Sequence, residues 1–169
     1  FKNIHTGKKG LVIGRGDHEE YQRIPALDKF RGIKIGCNSA YKVTRLDALV
    51  WIDPGFFRDY WPELQNVDCL KFAVEPIHYD HHGIEIRGIE ARKPARCSKG
   101  FDHGFYPCQL SGYLALNIAL IMGLDPIWLF GFIPNTDILR KRSESFGLTA
   151  DWCRGHKRRV YVVDEASYL

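Results

Sequence analysis

Four short stretches of this chain place glycine and small, polar or acidic residues directly after an apolar run. Gly14-Arg15-Gly16-Asp17 follows Leu11–Ile13, and Gly36-Cys37-Asn38-Ser39 follows Ile33–Ile35. Asp53-Pro54-Gly55 follows the run from Ala48, and Gly131-Phe132 follows Ile127–Phe130. Glycine lets a backbone approach a ligand closely, and free N–H groups at the start of a following helix suit a phosphate. Arg15 adds a charge that could neutralise a phosphate, or else is a solvated turn residue. Asp53 is placed either to hold a ribose hydroxyl or to cap the next helix. Each stretch alone is more often a turn than a site. Their coincidence at the ends of four apolar runs is the signal, and the chemistry it points to is a nucleotide pocket.

Other residues compete for attention. His103 and Tyr106 in "FDHGFYP" stand just before the Ser111-Gly112 helix start. There they could serve as general acid or base, or steady a leaving phosphate, against the plainer reading of loop packing around Phe101 and Phe105. In "HYDHH", His78, Asp80 and His82 would share one face if extended, but a bare His/Asp cluster with no second ligand group reads as a polar hairpin and no metal site is assigned. Asn117 in mid-helix reads as a packing polar group. The dinucleotide fingerprint needs a third glycine where the chain has Glu19, and no G-x-x-x-x-G-K-[ST] occurs, so both standard phosphate-loop motifs are disfavoured.

The elements that must position these residues are short. Strands are expected at Leu11–Ile13, Ile33–Ile35, Ala48–Ile52, Leu70–Val74, Ile84–Ile86, Ile127–Phe130 and Val160–Val163. Glu19 to Phe30 carries Tyr21, Ile24, Leu27 and Phe30 at helical spacing around Pro25, and Phe56 to Leu64 is a weaker helix, broken or kinked at Pro62. "SGYLALNIALIMGLDPIWLFGF" is the most regular segment: Leu114, Ile118 and Ile121 repeat on a helical period, Gly123 stops the helix, and "IWLFGF" is a buried strand. Strands alternating with helices predict an α/β domain, Rossmann-like, with a mainly parallel central sheet and helices on both faces. Ligands then bind beyond the carboxyl ends of the strands, where the four stretches lie.

The 169 residues fit one domain, 1–169, with 75–107 expected as an insertion or hairpin over the sheet edge and 134–156 as an irregular polar stretch, both able to cover a site. The chain is 45% hydrophobic and 26% charged, the composition of a globular rather than a disordered protein. No apolar run approaches a membrane span, and "FKNIHTGKKG" does not read as a signal peptide. Five cysteines, odd in number and never spaced C-x-x-C, argue for free thiols in a reducing, cytoplasmic setting. A net charge of +4, with clusters at Lys8-Lys9, Arg140-Lys141-Arg142 and Lys157-Arg158-Arg159, suits anionic ligands, nucleotide or nucleic acid, without choosing between them.

In motif order "GKKGLVIGRGD", "IGCNSAY", "WIDPGFF" and above all "SGYLALNIALIMGLDPIWLFGF", the chain resembles a Rossmann-like superfamily. That superfamily contains the bacterial sialyltransferases of glycosyltransferase family 42 and the archaeal-type hydroxymethylpterin pyrophosphokinases. The resemblance implies that Gly14 and Gly16 bracket a phosphate loop and that Asn38 contacts base or ribose. It further implies that Asp53 sits at the third strand end, and that Ser111 and Gly112 close the nucleotide side. The chain departs from the pattern in having Asp17-His18 where relatives carry Pro-Ser, Ile133 where they carry Asp, and a short lid whose histidine has only His156 as a doubtful counterpart.

The resulting expectation is a nucleotide-dependent transferase, foremost a glycosyltransferase using a nucleotide sugar. Nucleotide binding would fall to Gly14, Arg15, Gly16, Asp17, Asn38, Ser39, Ser111, Gly112, Gly131 and Phe132, and catalysis to His103, Tyr106 and Asp53. No cofactor is implied beyond the nucleotide as substrate. One alternative is an ATP-dependent pyrophosphokinase, which alone would bring in Mg²⁺, held by Asp17 and Asp53. The other is a non-catalytic nucleotide-binding or virion-associated module. The acceptor is open, and nucleic acid is one candidate.

Overall fold

The computed structural model describes residues 2–14, 24–74, 85–89, 110–132 and 136–163; the side chains of 88–89 and 136–145 lie outside the description. The order of elements is β1 (Gly10–Ile13), α1 (Pro25–Asp28), β2 (Ile33–Cys37), a 3-10 segment (Asn38–Lys42), β3 (Ala48–Trp51), α2 (Pro54–Leu64), β4 (Leu70–Val74), β5 (Arg87–Ile89), α3 (Ser111–Ile121), β6 (Ile127–Phe130), α4 (Thr136–Gly155) and β7 (Val160–Val163). The seven strands form one sheet in the order β5-β4-β3-β2-β1-β6-β7, and all six pairings are parallel. This is the Rossmann-like α/β arrangement expected. From β1 the sheet grows one way to β5 and the other way through β6 to β7, so the connections leaving β1 and β6 diverge. That divergence opens a crevice at the carboxyl end of the pair.

Both faces of the strands are apolar, as a covered parallel sheet requires. Val12, Ile35, Val50, Phe72 and Leu129 point to the face that carries α3 and Cys153 of α4. Leu11, Ile13, Leu49, Trp51, Ala73 and Phe130 point to the face that carries Leu27 of α1, Ala40 of the 3-10 segment, and Phe56, Phe57 and Leu64 of α2. Helix α3 is buried without interruption from Tyr113 to Leu120. Its apolar positions therefore cover more than the single stripe of Leu114, Ile118 and Ile121, because sheet and α4 enclose it together.

The end of α3 follows from its glycine. Gly123 sits at φ +83°, and Gly123 N donates to Leu120 O while Leu124 N donates to Ala119 O, the two bonds of a Schellman stop. The amino-terminal segment completes it, since Asn3, His5 and Gly7 donate to the carbonyls of Ile121, Met122 and Gly123.

Four expectations need correction. Residues 136–155 form a twenty-residue helix, not an irregular stretch: Phe146, Thr149, Trp152 and Cys153 recur at helical spacing and meet the core, but the polar Ser and Arg content hides the period. The expected Ile84–Ile86 strand is displaced to Arg87–Ile89, which pairs parallel to β4 at the sheet edge. Within the described part of Glu19–Phe30, α1 is one turn begun by Pro25, whose fixed φ favours the first helical position. Pro62 lies inside α2 without ending it.

Two buried or half-buried polar links tie the elements, and each makes a prediction. The Tyr113 hydroxyl meets the Thr149 hydroxyl at 2.5 Å between α3 and α4. Tyr113→Phe is expected to cost about 1–2 kcal/mol in urea unfolding, with a coupling to Thr149→Val in a double-mutant cycle. At the amino ends of β6 and β7, the Asp125 carboxylate accepts from Arg159 N at 2.8 Å and from its guanidinium at 3.0 Å. Burial alone would raise the Asp125 carboxyl. The hydrogen bonds and charge of Arg159, with the charge of Arg158, outweigh that and hold it below its ordinary value. Because the folded value is the lower one, this contribution is present above about pH 4 and is lost as pH falls through the depressed folded value. An acid titration of stability should therefore be shallower in Asp125→Asn.

Candidate functional site

The carboxyl edge of the sheet collects the described site residues into two neighbouring groups. The first lies at the β1/β6 crevice. Gly14 N donates to Phe130 O at 2.7 Å, extending the pairing one residue past β1. A Cβ on Gly14 would overlap the carbonyl oxygen of Gly131, which itself has φ +69°. A side chain is thus excluded at the one point where the two chain directions part. Phe132 follows, and its ring lies over the first turn of α3: a Cβ on Gly112 would stand 3.0 Å from it. Gly14, Gly131, Phe132 and Gly112 therefore form one continuous surface, with Ser111 beside Gly112 at the helix start.

Two of the helix starts at this edge, those of α2 and α3, differ in a way that matters for an anion. In α2 the N-cap is Asp53, whose carboxylate accepts from Gly55 N at 2.8 Å, so that terminus already faces a negative group. The capping role is the one the geometry displays for Asp53. In α3 the N-cap is Leu110, which supplies no side-chain hydrogen bond to the first-turn N–H groups. Among the described residues no side chain caps the α3 terminus, and its first-turn N–H groups and partial positive charge suit an anionic acceptor.

The second group lies at the ends of β2 and β3, around a hollow of about 350 Å³ lined by Asn38, Ser39, Asp53, Gly55, Phe56, Arg58, Asp59 and Tyr60. Asn38 sits in the left-handed region at φ +49°, which asparagine tolerates better than most residues. Its side-chain oxygen is buried with no hydrogen-bond partner among the described residues. A buried acceptor without a donor is costly in isolation and marks a place where a ligand donor would fit. Arg58, Asp59 and Tyr60 were not legible as site residues. The signal was there in retrospect, because Arg58 and Asp59 fall at i+3 and i+4 from Gly55 in the first turns of α2.

Arg15, Gly16, Asp17, His103 and Tyr106 lie outside the described residues, as does "HYDHH". Asn117 is fully buried and donates to Tyr113 O at 2.9 Å, a bond within its own helix. His156 is exposed, stacked on Trp152 and bonded through Nδ1 to its carbonyl. Cys37, Cys69 and Cys153 are free thiols, and burial raises Cys69 and Cys153 to about 11. Among the described residues no three His, Cys, Asp or Glu side chains gather to hold a metal ion. Asp53 gives one oxygen to Gly55 N, and Asp59 accepts from Arg58 Nε at 3.3 Å, so both carboxylates of the hollow have protein partners. No helix among the described residues is long and apolar enough to cross a membrane.

No family model matches the chain, and no curated protein or solved structure is significantly similar to it.

The crevice geometry predicts a steep response to one methyl group. Gly14→Ala is expected to destabilise the protein by about 1–3 kcal/mol, because backbone and not a flexible side chain must move. Gly147→Ala, within α4 and facing open space, is the matched control and should stabilise by about 0.5–1 kcal/mol. Denaturant unfolding of the pair checks both signs.

Proposed function

We propose that the protein is a nucleotide-dependent transferase, foremost a glycosyltransferase that takes a nucleotide sugar. The observation that carries this reading is the pairing of an α3 start that no described side chain caps with side-chain-free backbone at Gly14 and Gly131, one strand away from the Asn38 hollow. A phosphate fits the first and a nucleoside the second. The phosphate accepts from the first-turn N–H groups of α3, with Ser111 and Gly112 on its flank. The nucleoside brings donors to the orphaned Asn38 oxygen, with Ser39 and Asp53 beside it.

In such a transfer an acceptor hydroxyl attacks the anomeric carbon while the bond from that carbon to the phosphate oxygen breaks. The chain's contribution is orientation of the two reactants and stabilisation of charge on the departing phosphate by fixed N–H dipoles. Arg15, Gly16 and Asp17 complete the phosphate loop in this reading, and His103 and Tyr106 are its acid–base candidates. The acid content of the hollow, Asp53 and Asp59, is the feature that favours the alternative of pyrophosphoryl transfer from Mg²⁺-ATP. The existing partners of both carboxylates weigh against it.

Thermal unfolding with CMP, UDP, ADP and GDP at millimolar concentration, with and without Mg²⁺, tests the reading. A nucleotide of about 100 μM affinity should raise the midpoint by roughly 3–6 °C for a domain of this size. Asn38→Gly keeps the left-handed backbone and should leave the apo midpoint nearly unchanged while abolishing the shift. Absence of any shift with all four nucleotides, or a full shift in Asn38→Gly, contradicts the proposal. A shift with ADP only when Mg²⁺ is present would favour the pyrophosphokinase alternative.

A further inference from the structure

The more voluminous depressions among the described residues lie elsewhere, toward the amino ends of β1, β6 and β7. One, of about 600 Å³, takes in Lys9, Asp125, Trp128, Arg159 and Tyr161; the next, of about 410 Å³, takes in Lys9, Lys29, Phe30, Arg31 and Trp128. Lys9 and Trp128 belong to both, so the two form one groove. We propose that this groove binds single-stranded nucleic acid, its bases against the ring platform and its phosphates along the basic rim.

The platform follows from strand register. Leu11, Trp128 and Tyr161 stand side by side across β1, β6 and β7, so their side chains share a face. The Trp128 and Tyr161 rings lie 5.9 Å apart, tilted by 30°, and Phe30 meets Trp128 edge-on at 5.8 Å. Tyr161 is 46% exposed, which leaves an aromatic surface open to a flat partner.

The rim supplies the charge. Lys9, Lys29 and Arg31 are exposed and have no carboxylate partner among the described residues. The acid of the groove, Asp125, is already bonded to Arg159. Three cations without an acidic partner among the described residues therefore border a ring platform, and the occupant that uses both is one that carries phosphates and unpaired bases together. A duplex buries its base faces, and an acidic peptide has no use for the rings. In the sequence these residues are scattered from position 9 to position 161; the sheet order alone unites them. The groove lies at the opposite end of the strands from the Asn38 hollow, so it stands or falls separately from the transferase reading.

The test is fluorescence anisotropy of a labelled fifteen-residue oligothymidylate with the full chain, between 50 and 200 mM KCl. Three phosphate contacts predict a log–log salt slope near −2, a loss of roughly twentyfold over that range. The double variant Lys29→Ala/Arg31→Ala should reduce the slope to about −0.7. Tyr161→Ala should weaken binding at least about fivefold with the slope unchanged, and Tyr161→Leu, which keeps apolar cover while removing the ring, should do the same. Thermal midpoints verify that the variants are folded. The proposal is overturned by no binding at 50 mM KCl, by a wild-type slope in the double variant, or by unchanged affinity in Tyr161→Leu. Displacement of the oligonucleotide by polyglutamate as effectively as by unlabelled oligothymidylate would also overturn it, in favour of an acidic protein partner.

Discussion

The contact of Gly14 with the Gly131 carbonyl is the constraint on which the rest of the carboxyl edge depends. β1 and β6 are parallel neighbours whose following connections leave in opposite directions. Their last paired residues must come close enough for Gly14 N to reach Phe130 O, and any Cβ at Gly14 would prevent it. Once the pair is closed, Phe132 is delivered over Gly112, and the start of α3 is fixed at the crevice. The position of the α3 terminus is thus a consequence of two missing side chains.

The same sheet makes the two edges chemically different. At the carboxyl edge Gly14 and Gly131 leave the backbone bare, the α2 terminus is capped by Asp53, and that of α3 has no side-chain cap among the described residues. At the amino edge β1, β2 and β7 are preceded within two residues by Lys9, Arg31 and Arg159, and the rings of Trp128 and Tyr161 remain only partly covered. A parallel sheet with divergent connections generates this asymmetry, because the loops at its two ends come from different sets of connections. Two ligands of related chemistry, a nucleotide and a single strand, would be served by one domain without sharing residues.

How much of this was legible in the sequence depended on range. Six of the seven strands stand where short apolar runs bounded by glycine or polar residues placed them, to within a residue or two. β1, β3 and β6 are apolar throughout because both their faces are covered, and the lone lysines of β2 and β4 and the exposed Tyr161 and Val162 of β7 do not break the apolar pattern. β5 has one neighbour and a weak pattern, and its position moved by three residues. α4 was missed since a buried Thr149 stands among its core positions and its sequence is rich in Ser and Arg, so no apolar stripe stands out. Asp53 was legible as a cap or a ligand, and the local geometry displays the cap. The Gly14–Gly131 contact, the Asn38 oxygen without a donor, and the meeting of Lys9, Trp128 and Tyr161 depend on strand order, which no local window contains.

Backbone amide chemical-shift mapping during a nucleotide titration bears most directly on the claim that one nucleotide spans the two groups of strand-end residues. The account predicts that the shifts cluster at Gly14, Asn38, Ser111, Gly112 and Gly131 and saturate with a single affinity. Shifts confined to one of the two groups, or spread over surfaces away from the carboxyl edge, would contradict it.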